Sequence, residues 1–159
     1  MDRVLLVGEA PNATEQRLTR PGLALTGASG RTIARLAGLD WMVYLRRSER
    51  VNLLEECPVR WDWDAQLKAR LTAMMTRVDG RRVVLCGRNV AAAFGHADAE
   101  KFVWFVDRGA MMAVIPHPSG RNHQWNDSAM VARASAFLTD AFKQEDETWH
   151  SLDTTDARA

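Results

Sequence analysis

The chain has 159 residues, of which 47% are hydrophobic and 26% are charged, and it carries a formal net charge of +1. This length suits one globular domain with a full core, and the small net charge excludes a global attraction to nucleic acid or membranes. The apolar run near the N-terminus is too short for a signal peptide or a membrane span. Cys57 and Cys86 have neither metal-ligand nor disulfide-framework spacing and suit a reducing compartment. We therefore expect a cytoplasmic protein, and take a monomer as the default.

Apolar runs and helical periodicity alternate along the chain. In order they predict a strand at 3–7, a long loop at 12–28, a helix at 29–37 capped by Ser29, a strand at 50–54, a helix from Asp62 or Asp64 to Gly80, a strand at 82–86, a helix at 88–94, a strand at 112–115 and a helix from Asp127 or Ser128 to about Lys143. Residues 41–45 fit either a strand edge or a helical turn, and residues 101–105 are a candidate β segment.

This alternation predicts a three-layer α/β/α sandwich around a four-stranded parallel sheet. We expect one domain over residues 1–143 and a polar, flexible tail over 144–159. Ligands of such sheets bind outside the carboxyl ends of the strands. Four polar segments follow the predicted strands, at 8–12, 52–55, 87–89 and 117–126. They should converge on one edge of the sheet and form a site there.

The most informative segment is MMAVIPHPSGRNHQWN at 111–126. Pro116 and Pro118 restrict the backbone on both sides of His117, so the imidazole belongs to a stiff, extended segment. Gly120 permits a turn or a close approach to a partner. The segment is therefore either a site around His117 or a proline-rich surface turn, and the convergence of polar segments favours the site. Trp125 is expected to pack against the last helix.

Several chemistries are disfavoured by motifs that the chain lacks. The phosphate-binding patterns G-x-x-x-x-G-K-[ST] and G-x-G-x-x-G are both missing, which argues against a nucleotide cofactor. The histidines lack metal-ligand spacing, so we expect no metal, with His96, His123 and His150 at the surface. Ser119 lies only two residues from His117, which makes a hydrolase triad a poor interpretation. The remaining polar groups suit binding of a polar heterocycle and stabilisation of a departing anion.

Four motifs in order along the chain resemble the uracil-DNA glycosylase superfamily. The first motif is Gly-Glu-Ala-Pro at 8–11, followed by Glu15, Arg20-Pro21 and residues 26–30. The second and third motifs are residues 50–58 and residues 83–87. The fourth is Ile-Pro-His-Pro-Ser-Gly at 115–120. The nearest branch is similar to the bacterial and archaeal family-4 type, and the glycine after His-Pro-Ser is similar to the mismatch-specific branch. The resemblance covers residues 3–142. It implies cleavage of the N-glycosidic bond of a flipped base in single- or double-stranded DNA, which leaves an abasic site.

The resemblance also implies roles for individual residues. His117 would donate to the departing base, Glu9 or Glu15 would orient water, and Asn52 would bind the pairing edge of the base. The implied substrate-binding residues are Gly8, Ala10, Pro11, Asn12, Leu25 and Asn52. The implied DNA contacts are Ser29, Gly87, Arg88, Pro118, Ser119, Gly120, Arg121 and Asn122, with residues 118–121 as a minor-groove wedge that also holds a phosphate.

The chain departs from the family pattern at several positions. The highly active uracil enzymes carry a water-activating aspartate at the position of Ala10. Family 4 resembles this chain in having alanine there. Leu25 stands near the position of the base-stacking phenylalanine. The two cysteines cannot supply the four ligands of the family-4 iron–sulphur cluster, so we expect no cofactor. The run at 121–126 is unusual after His-Pro-Ser and is compatible with recognition of a modified base.

Two other functions remain open alongside a glycosylase acting on uracil or a modified pyrimidine. A non-catalytic relative would keep the DNA groove, bind duplex with a salt-sensitive affinity and release no base. An enzyme acting on the glycosidic bond of a free nucleoside or nucleotide would need no DNA groove and would show little salt dependence.

Overall fold

The structure is a computed structural model that describes residues 3–9, 24–54, 71, 74 and 77–143. Its helices and strands are β1 (Val4–Gly8), α1 (Ala28–Leu36), α2 (Trp41–Arg47), β2 (Ser48–Asn52), β3 (Arg82–Cys86), α3 (Arg88–Ala93), β4 (Phe105–Asp107), β5 (Ala110–Ile115), a 3-10 helix (His123–Asn126) and α4 (Ser128–Ala141). Leu71, Met74, Arg77 and Val78 are also helical and belong to the helix predicted before β3. None of the helices in these ranges is long and apolar enough to cross a membrane.

In the described part of the chain the sheet has five strands, in the order β2-β1-β3-β5-β4. The first four are parallel, which confirms the α/β prediction, while β4 runs antiparallel to β5 at the edge. The prediction of four strands is therefore wrong. Arg108 and Gly109 join β4 to β5 with φ values of 50° and 74°, as in a tight hairpin turn. The candidate β segment at 101–105 contains the first residue of β4, Phe105, and Lys101 forms an isolated bridge to Val114 of β5.

Both faces of the sheet are buried, and this explains the continuous apolar run of β1. Val4 and Leu6 belong to a core cluster with α1, α2 and α4. Leu5 and Val7 belong to a second cluster with α3 and the helix before β3. Successive side chains of a strand point to opposite faces, so a strand covered on both sides must be apolar throughout.

Three local predictions change in the structure. Helix α1 begins at Ala28 with Gly27 as its N-cap and no side-chain cap, so the prediction of Ser29 as the cap is wrong. Strand β2 begins and ends two residues earlier than predicted, although the N–H groups of residues 53 and 54 still donate to the carbonyls of residues 8 and 9. Residues 41–45 lie in helix α2, whose first turn is capped by the carboxylate of Asp40. Of the two predicted caps of α4, Asp127 and Ser128, the structure shows Asp127, whose carboxylate accepts from the first turn.

An ion-pair cluster connects the edge strand β2 to the chain that precedes β3. Glu49 of β2 accepts hydrogen bonds from Arg77 and Arg81, and the Arg81 contact measures 2.9 Å. Partial burial alone would raise the pKa of Glu49, but the hydrogen bonds and positive charges of the two arginines outweigh it. The pKa therefore lies below its ordinary value of 4.5. The folded protein thus stabilises the ionised carboxylate.

We expect this cluster to make stability depend on acid. Because the folded-state pKa of Glu49 is depressed, its contribution is present above the ordinary value of 4.5 and is lost as the pH falls through the folded-state value. Glu49→Gln should lower the free energy of unfolding at neutral pH by less than about 1 kcal/mol, since the pairs are partly exposed. Urea unfolding at neutral pH and at about pH 3 should then show a smaller acid-induced loss in Glu49→Gln than in the wild type. Equal losses would contradict the assignment.

Candidate active site

The carboxyl ends of β2, β1, β3 and β5 lie at one edge of the sheet, since these strands are parallel neighbours. Asn52 ends β2 and is paired with Gly8, which ends β1. Gly87 follows β3 directly, and its N–H donates to the carbonyl of Ile115 at the end of β5, at 2.9 Å. Strand β2, which follows β1 in the chain, lies on one side of β1, and β3 lies on its other side. The strand order thus reverses at β1, and a crevice for a ligand is expected there, between β1 and β3.

Asn52 lies directly against the glycine that ends β1. A Cβ atom built on Gly8 would be 2.5 Å from Asn52 Oδ1 and 3.4 Å from two side-chain carbons of Leu25. A real Cβ does not tolerate the first of these distances, so only glycine allows the amide to occupy this place. The structure thereby brings together three residues of the predicted substrate set.

The backbone of Leu25 is held in an unusual conformation at this place. Its φ is 51°, in the left-handed region that a branched side chain rarely adopts. The buried Tyr44 hydroxyl donates to the Leu25 carbonyl at 3.0 Å. A Cβ on Gly30 of α1 would lie 1.7 Å from the same oxygen. The carbonyl is thus enclosed by a hydrogen bond from α2 and by the bare backbone of α1.

Two buried groups below this segment remain protonated. Burial, with a smaller effect of the nearby Cys86, raises the pKa of Tyr44 well above its ordinary value of 10.0, so its hydroxyl stays a donor to Leu25. Burial also raises the pKa of the Cys86 thiol to about 12. Four thiolates are needed for the iron–sulphur cluster of family 4, and a chain with two cysteines, one of them buried as a thiol in β3, does not fit that group.

The close contact at Gly30 predicts a large effect of a small substitution. Gly30→Ala places a methyl group on the Leu25 carbonyl, which is backbone and cannot move aside without shifting α1. We expect a loss of about 1–3 kcal/mol in the free energy of unfolding, although alanine is the better helix former. Gly120→Ala is the matched control, because a Cβ there meets nothing within 4 Å and should change stability by less than about 0.5 kcal/mol. Urea unfolding of the two variants measures this, and equal stabilities would contradict the prediction.

His117 lies against a second glycine, Gly87. A Cβ on Gly87 would be 3.2 Å from His117 Cδ2, and the φ of Gly87 is 107°, which L side chains rarely adopt. The Ser119 N–H donates to His117 Nδ1 at 3.2 Å. Since Nδ1 accepts this bond, the neutral imidazole carries its proton on Nε2. His117 is half-buried and is therefore a directed hydrogen-bond donor at the edge of the sheet.

Glu9 follows β1 and is also held in place. The Asn89 side-chain amide donates to Glu9 Oε1, which joins the end of β1 to the first turn of α3. Sequence reasoning did not select Asn89 as a functional residue. The available signal was its place in the polar segment 87–89, directly after a predicted strand.

The rest of the predicted set divides by exposure. Arg88, Gly120 and Arg121 are exposed, Ser29 and Ser119 are half-buried, and Pro118 is buried, so the accessible tip of the loop is Gly120 and Arg121. His123 is exposed as expected, but His96 is half-buried, with Nε2 2.8 Å from Asp107.

The predicted Ala10, Pro11, Asn12 and Glu15 lie outside the described residues, as do Glu55, Cys57 and His150. Within the described ranges, no three His, Cys, Asp or Glu side chains could hold a metal ion.

These observations define an α/β domain with a polar site at the carboxyl edge of its sheet. Residues 1–144 match the uracil DNA glycosylase superfamily. Since the match spans most of the chain, the protein belongs to this superfamily, as its motifs predicted. No curated protein matches the chain at a significant level. Membership supports a glycosylase of the hydrolase class in general, and the family-4 branch stays a prediction.

Proposed function

We propose that the protein is a DNA glycosylase that excises uracil or a modified or mismatched pyrimidine by base flipping and leaves an abasic site. The observation that carries this proposal is the placement of the superfamily's motif residues on two neighbouring strand ends. Asn52 and Leu25 meet at Gly8, and His117 lies against Gly87. A base extruded from DNA would enter between them, with its unstacking cost offset by contacts in the pocket.

Asn52 is suited to bind the pairing edge of a pyrimidine, because its amide offers one acceptor and two donor protons. Contact with Gly8 orients the carbonyl end of this amide. Leu25 supplies an apolar wall but no aromatic face. A leucine gains less than an aromatic ring from stacking on a base, and it leaves a differently shaped space.

His117 is suited to stabilise the leaving group. When the bond between C1′ of the sugar and N1 of the pyrimidine breaks, its electron pair stays with the base, whose carbonyl oxygen becomes negative. The Nε2 proton would bond to that oxygen, and one preorganised donor of this type is typically worth about 3–4 kcal/mol in the transition state. Water then adds to C1′, and its proton passes to Glu9, whose carboxylate is oriented by Asn89.

The DNA backbone would be held by the exposed cations beside the site. Arg88 opens α3 next to Gly87, and Arg121 lies at the tip of the loop that carries His117. Contacts of arginine to phosphate depend strongly on salt, so binding of DNA should weaken as salt is added. The protein is proposed to act as a monomer in the cytoplasm.

The first test uses labelled oligonucleotides, single-stranded and duplex, that contain uracil, 5-hydroxymethyluracil or a G·T or G·U mismatch. Alkali and heat break the strand wherever a base has been removed. We expect breaks with the wild type and with His123→Ala, an exposed histidine in the same loop, and a loss of roughly a hundredfold or more in His117→Ala. Breaks that are equal in His117→Ala and His123→Ala would contradict the role of His117.

Two other results would replace the proposal. Tight, salt-dependent binding of DNA without release of any base would indicate a non-catalytic relative. Neither binding nor release would indicate an enzyme that acts on a free nucleoside or nucleotide.

Gly8→Ala tests the pocket separately from the fold. Its Cβ would displace Asn52 Oδ1, the end of a flexible side chain, so the free energy of unfolding should change little. Base release should fall about tenfold or more, because the amide no longer faces the pairing edge. Asn52→Ala should cause a similar fall, and the double variant should lose little beyond either single variant. Additive losses, measured as kcat/KM on the preferred base, would mean that Gly8 does not act through Asn52.

A further inference from the structure

The peptide carbonyl of His117 accepts two side-chain hydrogen bonds. Asn122 Nδ2 donates to it at 3.0 Å, and Trp125 Nε1 donates to it at 2.9 Å. Both donors come from the run that departs from the usual sequence after His-Pro-Ser. Neither contact reaches the imidazole itself, so their effect on the ring must act through the backbone of His117.

The prolines explain why the backbone needs such donors. Pro116 and Pro118 lack an N–H, so the residues next to His117 cannot donate the ladder bonds that would hold this extended segment after β5 ends. Side-chain donors from further along the chain take their place. A buried or half-buried carbonyl with two donors has both lone pairs satisfied and little freedom to rotate.

Both donors are themselves anchored. Asn122 Oδ1 accepts the Gln124 N–H at 3.1 Å, and the Asn122 N–H bonds to the Ser119 carbonyl at 3.0 Å. The Asn122 amide, predicted to contact DNA, is thus bonded within the loop at both ends. Trp125 is half-buried, and it packs against the core cluster that contains α1, α2 and α4. The loop around His117 is therefore connected to the hydrophobic core through an indole ring.

We propose that Asn122 and Trp125 are positioning residues that direct the Nε2 proton of His117. The effect of this positioning on catalysis rests on the proposed function. They fix the peptide of His117, and with it the place of the ring against Gly87 and of Nδ1 against the Ser119 N–H. A misplacement of about 1 Å far from the reacting atoms can cost about a hundredfold in rate. Since the Nε2 bond strengthens only as charge develops on the base, the loss should appear in kcat rather than in KM.

The variants are chosen to remove one donor each and leave the packing. Trp125→Phe keeps an aromatic ring on the core and removes the indole N–H. Asn122→Ser removes the amide donor, while its hydroxyl still caps the short helix as serine does at other N-caps. Trp104→Phe is the matched control, because Trp104 packs against Phe137 of α4, 5.0 Å between ring centroids, in the same core cluster.

Single-turnover base release and steady-state kinetics are measured for each protein on the preferred DNA substrate. We expect kcat to fall about tenfold in each single variant and up to about a hundredfold in the double variant, with KM within about threefold of the wild type. Trp104→Phe should keep the wild-type kcat. A double variant with the wild-type kcat would overturn the proposal and leave the glycosylase assignment intact.

Nitrogen-15 NMR of the His117 ring gives a readout that does not need activity. The wild type should show the tautomer with the proton on Nε2, and the double variant should show a mixture of tautomers or a broadened signal. An unchanged His117 signal in the double variant would overturn the proposal even if kcat falls, because the effect would not pass through His117. If the wild type releases no base, a changed signal still supports the positioning role, while the proposed function fails.

Discussion

Contact with bare glycine backbone is the constraint on which this site depends. A Cβ on Gly8 would lie 2.5 Å from Asn52 Oδ1, and one on Gly30 would lie 1.7 Å from the Leu25 carbonyl. A Cβ on Gly87 would lie in tight contact with His117, at 3.2 Å. The three glycines come from β1, α1 and the turn after β3. At Gly30 the contact is with backbone, which cannot move aside as a side chain can, so a larger residue is not tolerated there. At Gly8 and Gly87 the contacts are with side chains, so a larger residue would displace the polar groups of the site instead.

Hydrogen bonds from the core complete what the glycines begin. Tyr44 is fully buried, keeps its proton because burial raises its pKa, and donates to the Leu25 carbonyl. Trp125 packs on the same core cluster and donates to the His117 carbonyl. Two ends of the site are thus connected to one hydrophobic layer. This is a general way for a scaffold to hold loops that have no ladder of their own.

Much of the fold followed from local patterns. Four apolar runs predicted the parallel strands, and the motifs around Gly8, Asn52, Gly87 and His117 indicated the superfamily to which the chain belongs. The candidate β segment at 101–105 reaches the antiparallel β4 only at Phe105, because three residues are too few to show a period. Ser29 was mistaken for a cap because a capping residue type occurred two residues after the true N-cap, Gly27. The contact of His96 with Asp107, eleven residues away, is likewise invisible to a local pattern.

The sequence by itself determined which segments end at the site, since run length and turn residues are local properties of the chain. Tertiary structure alone decided which groups meet there. The pairing of β1 with β2 placed Asn52 over Gly8, and the packing of α1 on α2 closed Tyr44 on the Leu25 carbonyl. The choice of Asn122 and Trp125 as donors to His117, and of Asn89 as the partner of Glu9, followed in the same way. No repeating pattern in the sequence indicates which of these residues will be in contact, so only the packed fold determines the contacts.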